Sequence, residues 1–180
     1  MITEQEINDS IKLVEKASFE NNTDLFSKTR DVFQARIDSF SLSTQRYLES
    51  AIIAEIGNNT FDHNFIFDEK HTRGAFFYYD EKETVILADF GQGIKNSLHE
   101  IYNPETDLDA LKLAFREHVT SRNKENRGNG LKFVSENIIS NNYELYYQSG
   151  IGCCYIDKTG MKFYNSITSI IGCLIIFKFR

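Results

Sequence analysis

Glu55-Ile56-Gly57-Asn58-Asn59-Thr60-Phe61-Asp62-His63 is the stretch that decides how this chain is read. It falls in a segment, from about Thr44 to Asn64, whose length and apolar content predict a long helix. At roughly 100° per residue, Asn58, Asp62, Glu55 and Asn59 share an arc of about 100°. Much of the rest of the segment is apolar or small: Ile52, Ile53, Ala54, Ile56, Gly57 and Phe61. Two carboxylates and two amides therefore point one way from a helix that is otherwise mostly buried. A solvated face is the plain alternative. Such faces usually mix in lysine, and none occurs between Tyr47 and Asp68. Oxygen-bearing side chains without cations suit a hard ion such as magnesium, with a carboxylate to take a proton from water.

Two glycine motifs follow in order. Asp89-Phe90-Gly91-Gln92-Gly93-Ile94 comes directly after a predicted strand, Thr84 to Ala88. Glycines at alternate positions let the backbone turn sharply and approach a ligand. An aspartate at a strand end can accept from a purine amino group. A simple turn leaving the strand is the alternative. Gly128-Asn129-Gly130-Leu131 opens an apolar-periodic helix through Phe133, Val134, Ile138 and Ile139. Glycines at a helix start leave N–H groups free for phosphate, although glycine there also serves packing. Neither a G-x-x-x-x-G-K-[ST] loop nor a G-x-G-x-x-G fingerprint is present. Between them, Thr120-Ser121-Arg122-Asn123-Lys124-Glu125-Asn126-Arg127 is polar and apolar-poor. It reads either as a surface loop or as a lid over a triphosphate.

The helix signals upstream are local. Thr3-Glu4-Gln5-Glu6 has capping-box spacing and opens a helix to about Glu20, with Ile7, Ile11, Leu13 and Val14 on one stripe. A second helix is expected from Asp24 to Phe40. After Asn64 the pattern becomes β-branched and aromatic, predicting strands at 65–67, 74–79 and 84–88. Residues 91–107 read as irregular and hold the single proline, Pro104. Helices are expected at 108–117 and 128–140, then strands from Tyr143 onward with turns at Ser149-Gly150 and Lys158-Thr159-Gly160. One mixed sheet with helices packed on it is the simplest assembly. The expected class is α+β: a two-layer sandwich with helices on one face, a helical extension at 1–40 and one compact domain at 41–180.

Bulk properties narrow the function classes. With 180 residues the chain holds a core of its own, and 41% hydrophobic with 26% charged residues is ordinary for a globular protein. A net charge of -6 argues against a nucleic-acid surface. The one basic cluster in sequence is Arg116, Arg122, Lys124 and Arg127. Cys153, Cys154 and Cys173 are odd in number and form no C-x-x-C, which reads as reduced thiols. The start of the chain lacks a signal-peptide pattern, and the longest apolar run, near Ile170 to Phe177, is far short of the ~20 residues a membrane span needs. A cytoplasmic protein without a membrane partner is expected.

Together the three motifs resemble the histidine-kinase-type ATPases, the GHKL or Bergerat-fold family of gyrase B, the ninety-kilodalton heat-shock chaperones, histidine kinases and MutL. The resemblance covers roughly Ser43 to Phe179. It implies a Bergerat ATP-binding fold with ATP and Mg2+ as ligands. By it, Asn59 would coordinate magnesium, Glu55 would be the general base, and Asp62 and His63 would complete the asparagine box. Asp89 would hold the adenine amino group, with Gly91, Gly93 and Ile94 as the adenine wall. Gly128, Gly130 and Leu131 would receive phosphates, under a lid from His118 to Arg127 that brings Thr120, Lys124 and Arg127. Many members carry a Gly-Thr pair on a late strand. Here Gly172-Cys173 stands there, and since a thiol is the weaker hydrogen-bonding group, weaker adenine binding is expected.

The four histidines, His63, His71, His99 and His118, leave none upstream of the asparagine box. A complete histidine kinase is therefore not expected, nor the second domain of gyrase- and MutL-like enzymes. The resemblance points to a stand-alone module, nearest to the anti-sigma-factor serine kinases. It implies an ATPase or protein serine/threonine kinase acting on a small regulatory protein partner, with a homodimer as a further possibility. A nucleotide-sensing module with little turnover is the alternative. A descendant that no longer binds nucleotide is a third class, disfavoured by the presence of Glu55, Asn59 and Asp89.

Overall fold

The structure is a computed structural model and describes residues 1–63, 74–80, 83–116 and 130–179. The expected strand at 65–67 and the whole of the expected lid lie outside these. Three helices come first: α1 (Glu4–Phe19), α2 (Arg30–Thr44) and α3 (Tyr47–His63), with a short strand β1 (Phe26–Ser27) between the first two. The hairpin β2 (Ala75–Asp80) and β3 (Thr84–Asp89) leads to α4 (Gly93–Tyr102), α5 (Asp107–Arg116) and α6 (Gly130–Ser140). Four strands complete it: β4 (Glu144–Ser149), β5 (Gly152–Asp157), β6 (Gly160–Asn165) and β7 (Cys173–Lys178).

The strands form one sheet in the order β1-β2-β3-β7-β4-β5-β6. The α+β class holds, but every pairing among the described residues is antiparallel, where a mixed sheet was expected. Short connections between β2 and β3, β4 and β5, and β5 and β6 permit only antiparallel neighbours. β7 then slots between β3 and β4, antiparallel to both. This insertion aligns three strand ends: Asp89 lies opposite Cys173, and Cys173 opposite Ser149.

Helices cover both faces, not one. On the larger side, α2 to α6 bury Phe33, Ile53, Leu98, Phe115 and Ile138 against Val85, Leu87, Ile175 and Phe177. On the other side, α1 sets Val14 and Ala17 against Phe76, Ile86, Leu174 and Ile176. The runs Val85-Ile86-Leu87-Ala88 and Leu174-Ile175-Ile176-Phe177 do not alternate with polar residues. Strands apolar on both sides require a cover on both.

α1 starts at the capping box that its sequence announces, with the Thr3 hydroxyl and the Glu6 carboxylate each bonding the other's backbone N–H. α2 begins six residues later than expected, at the Thr29 cap rather than near Asp24, because Phe26–Ser27 pairs with β2 instead. Within α3, Gly57 lets α2 approach closely: a Cβ there would stand 2.0 Å from the Phe33 ring. α4 occupies part of the stretch read as irregular. Its N-cap, Gln92, makes no side-chain cap bond.

Candidate functional site

The described parts of the three motifs, on α3, at the end of β3 and at Gly130–Leu131, meet on the larger helical face. α3 carries Glu55 and, one turn on, Asn59; the Glu55 side chain is exposed and Asn59 is half-buried. The carboxylate of Glu55 reaches the first residue of α6. A Cβ on Gly130 would lie 2.7 Å from Glu55 Oε2, so this glycine leaves room for that side chain. Leu131, next along α6, packs against the core.

α3 also reaches the end of β3. Thr60 donates its hydroxyl hydrogen bond to Asp89 Oδ2 at 3.2 Å. Asp89 is 5% exposed, and its other oxygen accepts the Gly91 N–H at 2.9 Å. The carboxylate is thus fixed at the strand end by one bond from the neighbouring helix and one from its own glycine turn. Gly172, at φ +73°, brings a second backbone against the same residue. A Cβ there would stand 2.1 Å from the Asp89 carbonyl oxygen. That close approach gives a physical reason for the glycine of the Gly172-Cys173 pair.

Cys173 is 4% exposed, and burial pushes its thiol well above the ordinary range, with Asp89 adding to the shift. Ser149 lies opposite it on β4. Beyond it, Ser149 Oγ accepts the Ile94 N–H at 2.9 Å. Gly93 has φ +72°, and Ile94 packs toward the core. A cavity of about 340 Å³ opens beside this turn, lined by Phe90, Gly91, Gly93, Ser149 and Gly172 among others. Glu55, Asn58 and Asn59 do not line it.

Asp62 sits on the same helix but forms an ion pair with Arg30, the first residue of α2. Arg30, Thr60 and Ser149 are the neighbours that sequence reading missed. Each acts across 29 or more residues of chain and carries no local motif. His63 ends α3. Thr120, Lys124, Arg127 and Gly128 lie outside the described residues.

Magnesium fits the donor chemistry. Among the described residues no group of three or more His, Cys, Asp or Glu forms a metal cluster. Glu55 and Asn59 instead offer hard oxygens one turn apart, which suits an ion that keeps waters and takes its other ligands from phosphates. Beside them, Asn58 Oδ1 is buried with no hydrogen-bond partner among the described residues.

No protein-family model matches the sequence, and no curated protein matches it. Among solved structures, the chain is similar to the ATP-binding domain of topoisomerase IV from Francisella tularensis, solved with a small-molecule inhibitor. The two share 17% identity at a TM-score of 0.41, over 72% of this chain and 62% of that one. It is also similar to the 43K ATPase domain of Thermus thermophilus gyrase B, solved with an aminocoumarin. There the identity is 15% and the TM-score 0.39, over 72% of this chain and 33% of that one. The matched region therefore spans less than two thirds of either structure. Among the described residues no helix is long and apolar enough to cross a membrane.

Proposed function

We propose that this protein binds Mg-ATP on the larger helical face, with the adenine amino group donating to Asp89 and the phosphates running toward α3 and the start of α6. The observation that carries this reading is α3 itself. The one helix touches both other motifs, through Thr60 to Asp89 and through Glu55 to Gly130. Three patterns that are weak alone are brought together by two contacts.

In this reading each residue has one task. Asp89 accepts from the base, and its geometry is set in advance by Thr60 and Gly91. Asn59 and the phosphates hold magnesium, which when bound neutralises phosphate charge. Glu55 takes the proton of the attacking water or hydroxyl. Gly130 leaves space for that carboxylate and frees N–H groups at the start of α6. By the resemblance, Gly128 would also receive phosphate, and Thr120, Lys124 and Arg127 would belong to the lid.

The reaction we assign is ATP hydrolysis or phosphoryl transfer to a small regulatory protein. A sensing module with little turnover is the second reading. It is favoured by the buried Cys173 thiol, a weaker hydrogen-bonding group that stands where relatives by resemblance present a hydroxyl. Calorimetry with Mg-ATP on wild type and Asn59→Ala tests the binding. Weakened binding by a folded variant is the expected result, and equal affinity would remove Asn59 from the site. Glu55→Gln then separates the two readings. A catalytic base requires retained binding with turnover down by about 10²-fold or more.

A further inference from the structure

Ser149 is 2% exposed and lies at the end of β4, the third strand from the β6 edge of the sheet and the neighbour of β7. Its local sequence marks only a turn, Ser149-Gly150. Yet its hydroxyl is what receives the first turn of α4. Gln92 provides no side-chain cap, and Gly93 enters the helix with φ +72°. The Ile94 N–H, one of the donors a helix start leaves without an internal partner, goes to Ser149 Oγ from 55 residues away. A Cβ on Gly93 would come within 2.9 Å of the same oxygen, so the glycine and the serine fit as a pair.

The anchor is itself held. Ser149 lies opposite Cys173, and Cys173 lies opposite Asp89. One residue later the β4–β5 turn is fastened to α5: Asp107 Oδ2 accepts the Ile151 N–H at 3.0 Å. Gly150, at φ +59°, leaves room for that carboxylate. Both ends of the Asp89–Ile94 turn are thus tied to the sheet, one through Asp89 itself and the other through Ser149.

We propose that Ser149 is a positioning residue of the nucleotide site: its hydroxyl anchors the Ile94 amide and so fixes the Gly91–Ile94 turn against Asp89. The proposal rests on the reading that this turn lines the adenine pocket. Without the hydroxyl, the part-buried Ile94 N–H loses its protein acceptor. The turn then loosens, and adenine recognition should suffer more than overall stability.

The test compares wild type with Ser149→Ala, Ser149→Cys and Ser149→Thr. Affinities for Mg-ATP and Mg-GTP are measured by calorimetry, and exchange of the Ile94 amide by NMR. Ser149→Ala should exchange that amide faster and weaken ATP binding by about tenfold, shrinking the preference for ATP over GTP. Ser149→Thr keeps the hydroxyl and should restore both. If Ser149→Ala does not fold, Ser149→Cys, which keeps the shape and weakens the acceptor, carries the same comparison. Wild-type ATP binding with unchanged affinity in the variant overturns the role of Ser149 and leaves the nucleotide reading standing. Absence of ATP binding by the wild type overturns both, even where the Ile94 amide still responds.

Discussion

The carboxylate of Glu55 and the α-carbon of Gly130 are packed so closely that one added methyl group would meet Oε2 at 2.7 Å. The obstacle is the far end of a flexible side chain, not backbone. Gly130→Ala should therefore leave the melting temperature nearly unchanged while turning the Glu55 carboxylate away. If Glu55 is the base, turnover should fall by about 10-fold or more, within the range general base catalysis supplies. A thermal melt beside a steady-state phosphate-release assay checks both halves. Unaltered turnover in a variant that stays folded would detach Glu55 from the chemistry.

Asp89 should select adenine over guanine. Its carboxylate accepts from an amino group but faces the guanine carbonyl with like partial charge. Asp89→Asn should erode the discrimination between ATP and GTP by about 1.5–3 kcal/mol, the scale of a hydrogen bond to a charged group. Thr60→Val, which removes the donor to Oδ2, should lose less, about 1 kcal/mol. Competition binding with both nucleotides measures this; equal wild-type affinities for ATP and GTP would remove Asp89 from base recognition.

Gly57 reports on packing alone. A Cβ there collides with the ring of Phe33, which is fully buried between α2, α3 and the sheet. Overpacking of this kind costs about 1–3 kcal/mol, more than the gain of roughly 1 kcal/mol from replacing a helical glycine. Gly57→Ala should therefore unfold at lower denaturant concentration. Gly57→Ala combined with Phe33→Leu should recover part of the loss. Stabilisation by the single variant would show that the α2–α3 approach is looser than described.

Acid should loosen α1 before the rest. Burial alone would raise the Glu6 pKa, but Lys178 and Thr3 outweigh it and hold the carboxyl at about 2 against an ordinary 4.5. A group whose pKa is lowered on folding stabilises above its ordinary value. That contribution drains away as pH falls from about 4.5 toward 2. The pair is partly exposed, so the effect is modest. Amide exchange in α1 should quicken over that window, and Glu6→Gln should flatten the response. The same acid response in Glu6→Gln would assign the loosening to other carboxylates.

What could be read from sequence was whatever a few neighbouring residues determine. α1 announces itself through Thr3 and Glu6, α3 through its length and its lysine-free polar arc, and β3 through a β-branched run ending at Asp89. α4 was missed because its start depends on Ser149 rather than on any residue beside it. The cover on the second face was missed because β3 and β7 are apolar on both sides, a pattern that does not say how many layers flank them. Within the site, the order of the motifs was legible. The tie between two of them, Thr60 to Asp89, and the tie of the first to α2, Arg30 to Asp62, join segments about thirty residues apart and have no local signature.

β7 enters the sheet late in the chain yet sits between β3 and β4, with all six of its residues paired on each side. During synthesis, then, β2–β3 and β4–β5–β6 can exist only as two separate ribbons until residues 173–178 are available to join them. The alignment of Asp89 with Ser149 is created in that joining step. Such long-range closure is slow, and until it happens two sheet edges stay open. On the proposed reading, a nascent chain lacking β7 should have no complete site for adenine, so nucleotide would favour only the finished sheet and would not act as a template for its halves.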